Sequence, residues 1–455
     1  MTSVAALGHP DYGAAAMMKA RRGSALSVSI ALLAATFLAG CFLDTSGVDP
    51  VRGEINFPTS IVMAPPATPG VASDYVYVVN SNFDLRYNGG TVMAIKALDV
   101  ADAVTACLSP PCSLGAAGQF IAAGGEVTTG SYSAGAAIST DGTRLYVPFR
   151  SDSSLTFIDV GAGGGTLSCG PDGRCDDAHR RGADTTSSQR GEAMPGDPSR
   201  VLLRPLPAPW TGDFLVVLDR SGKASLFFDG QASGEAPKLV DVVDGLPAAA
   251  VGLAYDDVAG ITYVSSANTT PTARLARVGV ALDDPAAPER SFLFRAGEPR
   301  VSGLDDGLDV RDLAFDGDRL YLLSRRPEAV VFVDLSRAGL SSGDLPIERV
   351  IGVDFGASRL ALATLGGRKF LLVTCYDGRS LFVIDAQTGA VEEVVRGFSG
   401  PFEVAVDEVR GFAYVSDFRS SVVRVVDLRQ LALGTSDPLR IVATIGNPRA
   451  PSELN

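Results

Sequence analysis

A fixed interval of thirteen residues recurs along this chain between a residue in one apolar strand and the aspartate that closes the next, and it constrains the fold more than any other feature. It joins Tyr146 to Asp159, Val216 to Asp229, Tyr321 to Asp334, Leu372 to Asp385 and Tyr414 to Asp427. The last copy is the clearest. Residues 404–406, 412–416 and 422–426 are short apolar or alternating runs separated by Gly, Asp, Arg and Ser, which reads as strand, tight turn, strand, turn, strand. Two looser copies begin at Tyr75 and Tyr263, with a longer turn between their strands. Each of the seven units has an apolar first strand of matching form, at residues 61–64, 136–139, 201–203, 253–255, 313–315, 360–362 and 404–406.

A unit of this kind exposes too much apolar surface to stand alone and needs copies of itself on both sides. Seven of them, at a period of about forty to fifty residues, imply a closed radial array. The fold class is therefore all-β, a seven-bladed β-propeller of four-stranded blades. A β-sandwich or a two-domain arrangement would not require seven in-register repeats, and a parallel β-helix would need shorter ones. The outer strands are most legible at residues 390–394 and 439–444. Closure of the ring leaves two routes: residues 54–57 add a strand to the last blade, or the end blades simply pack.

The N-terminus gives an address. Lys19, Arg21 and Arg22 lead into an apolar run at 25–38, followed by Leu38-Ala39-Gly40-Cys41. This order of basic region, apolar segment and small residues describes a secretory signal, and with the cysteine in place it resembles the bacterial lipoprotein lipobox. The resemblance implies a signal peptide over residues 1–40, diacylation of Cys41 (a palmitate-type anchor) and a tether over 41–56. Residues before Met17 fit no part of a signal, so translation is expected to start at Met17 or Met18. Phe42 follows the cysteine, which by resemblance to enterobacterial sorting favours the outer membrane.

The chain has 455 residues, 46% hydrophobic and 20% charged, with 50 glycines and 27 prolines, which suits many short strands and turns. Without residues 1–40 it carries 36 basic against 51 acidic groups, a balance of about −15. Nucleic acid and anionic membrane surfaces are excluded as partners by that sign, and membrane contact is expected through the lipid alone.

Two stretches interrupt the regular spacing, at about 101–127 and 161–195. The first holds Cys107 and Cys112, the second Cys169 and Cys175. In an exported protein each close pair reads as a local disulfide stapling a loop. A zinc site would want tighter thiolate and imidazole spacing, and the chain after residue 40 has one histidine, His179. Asp172, Asp176 and Asp177 could offer oxygens to calcium, at a spacing that matches no known loop; no other cofactor is implied. Cys375 is left over at the end of an apolar strand, where a buried free thiol is the plain expectation. Residues 57–446 then form the propeller and 447–455 a tail.

The segments YVYVVN, YVSS, LVTC and YVSD, each followed by a turn and a strand that ends in Asp or its near equivalent, resemble the YVTN-repeat propeller family. Tyr77-Val78-Val79-Asn80 is nearest to that family's four letters, and no copy has all of them. The resemblance implies that the first strand of each unit lines a central channel, with the Tyr strand next outward.

That register names candidate site positions. The residue before each first-strand apolar position falls at one rim of the channel: Ser60, Gly135, Arg200, Gly252, Asp312, Arg359 and Glu403. The four charged ones, Arg200, Asp312, Arg359 and Glu403, can hold a ligand or metal at the channel mouth, or can pair with one another. A second set follows the Tyr strands: Arg150, Arg220, Arg325, Arg326, Arg379 and Arg419. These can hold an acidic partner or form a solvated face.

Catalytic sets are hard to assemble. There is no CxxCH for haem, and a single Trp, Trp210, argues against quinoprotein propellers, which dock their blades through repeated tryptophans. His179 lies in an insertion, where a streptogramin-lyase-like propeller would need it in the channel. A metal-dependent lactonase of the gluconolactonase type would need carboxylates such as Glu403 and Asp312 converging, but Arg200 and Arg359 stand beside them and would repel a divalent cation. The expected function is a non-catalytic binding scaffold in the cell envelope for a protein or polysaccharide partner. A lactonase-like hydrolase working at the channel mouth is the alternative.

Overall fold

The structure is a computed structural model that describes residues 47–448, apart from 134, 183–193, 195, 232–234, 268–273, 285, 303–306, 338–342 and 436. The expected signal peptide, Met17, Met18, Cys41, most of the tether, part of the second insertion and nearly all of the C-terminal tail lie outside the described residues.

Seven antiparallel sheets follow one another along the chain, which makes a seven-bladed β-propeller. In blade 7, Pro401–Asp407 pairs with Phe412–Asp417, that strand with Val422–Asp427, and that in turn with Arg440–Ile445. Blades 1, 3, 4 and 6 repeat this four-stranded order. Blade 2 is irregular: its inner strand is only Ala137–Ile138, and two short segments, Leu167–Ser168 and Arg180–Arg181, share the edge of Ser154–Val160. Blades 5 and 7 each gain a fifth, parallel strand, Arg300–Ser302 and Cys112–Ser113 respectively.

The recurring aspartate and tyrosine both have structural causes. In four of the five copies the aspartate ends the third strand, where its carboxylate accepts backbone N–H groups of the turn that follows; Asp159 of blade 2 instead lies one residue before the strand end and accepts from Arg144. Asp229 takes Gln231, Asp334 takes Ser336, Asp385 takes Gln387 and Thr388, and Asp427 takes Arg429. This is a side-chain-stabilised turn that stops the strand at a fixed length. The tyrosine lies in the second strand and is fully buried in blades 1, 2, 5 and 7. Each hydroxyl reaches the next blade: Tyr77 donates to Gly164 O, Tyr146 to Asp229, Tyr321 to Ala386 O and Tyr414 to Ala97 O. One side chain thus fills the space between two sheets and spends its polar tip there, as a buried tyrosine must.

The Tyr414 contact crosses the joint between the last blade and the first. Among the described residues no N-terminal strand joins the last sheet; the end blades pack face to face. Tyr414, Val423, Val425 and Ile445 share one apolar cluster with Ile61, Val76, Val78 and Ile95, covered by Val100 and Val104 of the helix Ala97–Thr105. Phe57 N–H donates to Ser421 Oγ across the same joint. The Cys107–Cys112 disulfide is formed, and the strand it anchors lies along the outer edge of blade 7, where Leu114 N–H donates to Thr444 O and Gly446 N–H to Gly115 O. The stretch 101–127 is therefore built from the end of a helix, this brace, and the start of the fourth strand of blade 1, Ile121–Thr129.

The Cys169–Cys175 disulfide is formed as well, and both cysteines are buried in the apolar layer between blades 1 and 2. Cys375 is a buried free thiol, and burial pushes it up to about 12.

Candidate functional site

The inner strands of the ring share one irregularity. At the start of the strand, the pairing of first and second strands slips in six of the seven blades, at Thr59, Ser199, Val251, Arg311, Ser358 and the Phe402–Glu403 step. A bulge leaves a residue unpaired and re-aims its side chain. Thr59, Ser199, Val251, Arg311, Ser358 and Phe402 all line one cavity of about 350 Å³. Sequence reasoning put the mouth one residue later and missed this set. A bulge has no letter code, although stepping the repeat back by one position would have shown Ser or Thr in three of the six blades.

The four charged residues expected at the mouth do converge, and they bind one another. Arg200 donates to Asp312 Oδ1 at 2.8 Å and to Glu403 Oε1 at 3.0 Å, and Arg359 Nε lies 3.8 Å from the same Glu403 oxygen. The remaining carboxylate oxygens accept backbone N–H groups, Asp312 Oδ2 from Leu360 and Glu403 Oε2 from Ile61, each at 3.0 Å. Arg200 joins blades 3, 5 and 7 in this way. Two glycines make the room: a Cβ on Gly135 would sit 3.1 Å from Arg200 Cδ, and one on Gly252 only 3.2 Å from Asp312 Cα. Burial alone would lower Arg200, but the charges of Asp312 and Glu403 more than offset it and hold the guanidinium above its ordinary value. Arg359 goes the other way, since burial and then the neighbouring Arg200 charge push it down to about 10. Every oxygen of Asp312 and Glu403 is thus engaged, and among the described residues no three His, Cys, Asp or Glu side chains are grouped to hold a metal.

The cavity above this cluster has a cationic side. Five of its lining residues are arginines, Arg150, Arg220, Arg311, Arg325 and Arg359, and none is a carboxylate. The acids that serve them stand just behind. Asp197 lies between Arg150 and Arg220; Asp377 lies 2.7 Å from Arg325 and 3.5 Å from Arg419; Asp309 lies 2.6 Å from Arg311. Counting the cluster below, seven arginines meet five carboxylates, a surplus of two positive charges. Of the arginines read from the turns, Arg150, Arg220 and Arg325 line the cavity, Arg419 stacks over Tyr376 at 4.7 Å, and Arg326 and Arg379 are exposed outside it.

The other side is aromatic. Phe418 sits at the centre, with ring centroids of Phe57 at 5.1 Å, Phe83 at 5.3 Å, and Tyr376 and Phe402 at 6.1 Å. Tyr132 extends the group through Phe83 at 5.7 Å. These rings come from blades 6, 7 and 1 and the turn into blade 2, so they cover the joint of the ring. Phe83 keeps 54% of its surface exposed, far more than a packing residue needs.

The remaining sequence candidates lie elsewhere. Ser60 is buried in the inner strand of blade 1. His179 is held by Asp176 at 2.7 Å, with its other ring nitrogen 3.7 Å from Asp159, in the second insertion. Burial would raise Asp176, but the His179 hydrogen bond and charge outweigh it and leave the carboxyl below its ordinary value. Asp172 and Asp176 border a shallow depression shared with Arg52 and Arg174. Among the described residues, no convergent oxygen set for calcium is formed there.

Fold and mouth together define a seven-bladed propeller with one ligand-sized, cationic and aromatic cavity on a face of the ring. No protein-family model matches the chain, the YVTN repeat included, and no curated protein does. Solved structures similar to it include a functionally unknown protein from Desulfotomaculum acetoxidans (12% identity, 83% of this chain, 100% of that one, TM-score 0.49). Others are a protein from Lactobacillus plantarum (14%, 75% and 85%, 0.48) and a candidate 6-phosphogluconolactonase from Bacteroides fragilis (15%, 73% and 82%, 0.46). The blade count rests on the strand pairing of this chain itself.

Proposed function

We propose that this chain is an exported, lipid-tethered propeller that binds a partner through the mouth face of its ring and carries out no catalysis there. One observation carries the reading: the carboxylates a channel-mouth hydrolase would use are saturated by Arg200 and backbone N–H groups, while the arginine-lined cavity above them is open. The described parts of the two disulfide-stapled insertions brace blade 7 and the layer between blades 1 and 2. The mouth face joins a cationic and an aromatic side in one cavity, which suits it to recognition. The tether is the lipobox cysteine Cys41, and the YVTN-like letters mark the repeat that builds the ring.

The test places a photo-crosslinking residue at Phe83, on the mouth, or at Val258, an exposed turn residue between the first two strands of blade 4. In the intact envelope, adducts should form at Phe83 and not at Val258, and Cys41→Ser should abolish palmitate labelling and release the protein from membranes. Turnover of a sugar lactone by the purified protein, lost in Glu403→Gln, would replace this reading with the hydrolase.

A further inference from the structure

The mouth is specific about what it can accept. Its surplus of two positive charges sits in a chain whose net charge is −13, so the mouth draws an anion against the sign of the protein as a whole. An extended polyanion, or a peptide with a run of acidic residues, would meet repulsion over the rest of the surface. A ligand with one negative charge, small enough for a cavity of about 350 Å³, would not.

Donors and apolar surface are arranged in one continuous path. Phe83 meets Tyr132 edge-on at 5.7 Å, the Tyr132 carbonyl accepts the backbone N–H of Arg150, and Arg150 and Arg220 flank Asp197. Two guanidiniums offer ten N–H groups, and one carboxylate can accept about four hydrogen bonds. The Arg150–Arg220 pair therefore has donors to spare for a second carboxylate, in the fork geometry that suits one. Beside them, the exposed face of Phe83 offers a flat apolar surface; the Thr59 and Ser133 hydroxyls bond each other at 2.7 Å and Ser81 donates to Phe57 O, so all three keep acceptor lone pairs for a ligand's hydroxyls.

Resting on the reading of the mouth as a binding face, we propose that its ligand is a sugar acid: a saccharide ring bearing a single carboxylate, free or at the end of a chain. The ring packs on Phe83 and Tyr132, the carboxylate is held between Arg150 and Arg220, and the ring hydroxyls meet the serine and threonine side chains.

Calorimetric titration of the full-length protein with glucuronate, glucose, inorganic phosphate and a glutamate-rich peptide tests this. Glucuronate should bind, with glucose and phosphate each at least about ten-fold weaker, because neither supplies both charge and ring. Arg220→Gln should weaken glucuronate by at least about ten-fold and Arg220→Lys by several-fold, since lysine keeps the charge and loses the fork. Phe83→Ala should weaken it at a temperature where calorimetry shows the variant still fully folded, which separates lost contact from lost fold. Equal binding of glucose, phosphate as tight as glucuronate, or tighter binding of the peptide would each overturn the proposal. Absence of glucuronate binding while Phe83 crosslinks persist would overturn the sugar acid alone; loss of both would remove the binding face as well.

Discussion

Replacing Arg200 by methionine should destabilise the propeller by about 3–5 kcal/mol, the range expected when one member of a buried, hydrogen-bonded ion cluster is removed and its partners stay behind. Asp312 is only 6% exposed and Glu403 13%, and the Arg200 guanidinium that contacts both is 14% exposed. Methionine replaces the aliphatic stem beside Gly135 but none of the donors, so the cluster keeps two carboxylates with Arg359 as the cation beside Glu403. A ring of nearly 400 residues unfolds with an entropy of about 0.8 kcal/mol/K, so the melting temperature should fall by about 4–6 °C. Scanning calorimetry reads this directly. The double variant Arg200→Met, Asp312→Asn should recover at least half of the loss, because Asn keeps an oxygen for the Leu360 N–H group and the remaining Glu403 carboxylate still has Arg359 beside it. A loss below about 1 kcal/mol for Arg200→Met would refute the reasoning, since the cluster would then behave as a solvated surface pair.

Three further outcomes follow from the same interactions. Tyr321→Phe should cost about 0.5–1.5 kcal/mol in urea unfolding, and Tyr146→Phe about 1.5–3 kcal/mol, because its acceptor is the charged Asp229; equal costs would mean the acceptor's charge is immaterial. Burial raises the Glu126 carboxyl above its ordinary value, against the Gly53 N–H and Arg52 that pull it down. The folded state then holds that proton more tightly than the unfolded one, so this residue's contribution to stability falls as pH rises from its ordinary value near 4.5 through the raised one. Glu126→Gln should remove that loss, and a difference between variant and parent that stays flat with pH would contradict it. Cys375, buried and pushed up to about 12, should resist a thiol reagent in native protein and react only on unfolding; rapid native labelling would show an open path to it.

The fold was legible because its repeat is written in letters with local causes. Four of the five aspartates of the thirteen-residue interval stop strands by accepting turn N–H groups, and the tyrosines are the inter-blade contacts, so both are fixed in sequence by what they do nearby. The site was half legible. Counting along the repeat put Arg200, Asp312, Arg359 and Glu403 on one rim, but not which partner each would choose, because that depends on side-chain reach across the channel. The bulge residues were invisible for a different reason: a bulge is a property of how two strands align, and Thr59 or Ser358 carries no mark of it. The aromatic side was hidden too, since Phe57, Phe83, Phe402 and Phe418 come from opposite ends of the chain and meet only when the ring closes.

The tyrosine that reaches from one blade to the next also bears on how the gene could have been cut and rejoined. Tyr414 does at the seam what Tyr77, Tyr146 and Tyr321 do inside the ring, so the circle does not depend on where the chain begins. A circular permutant opened at the turn after Tyr376, with the old ends fused, would keep each of these tyrosine contacts. None of these contacts fixes which blade must come first in the chain, so chain order and ring geometry are separable properties of the molecule.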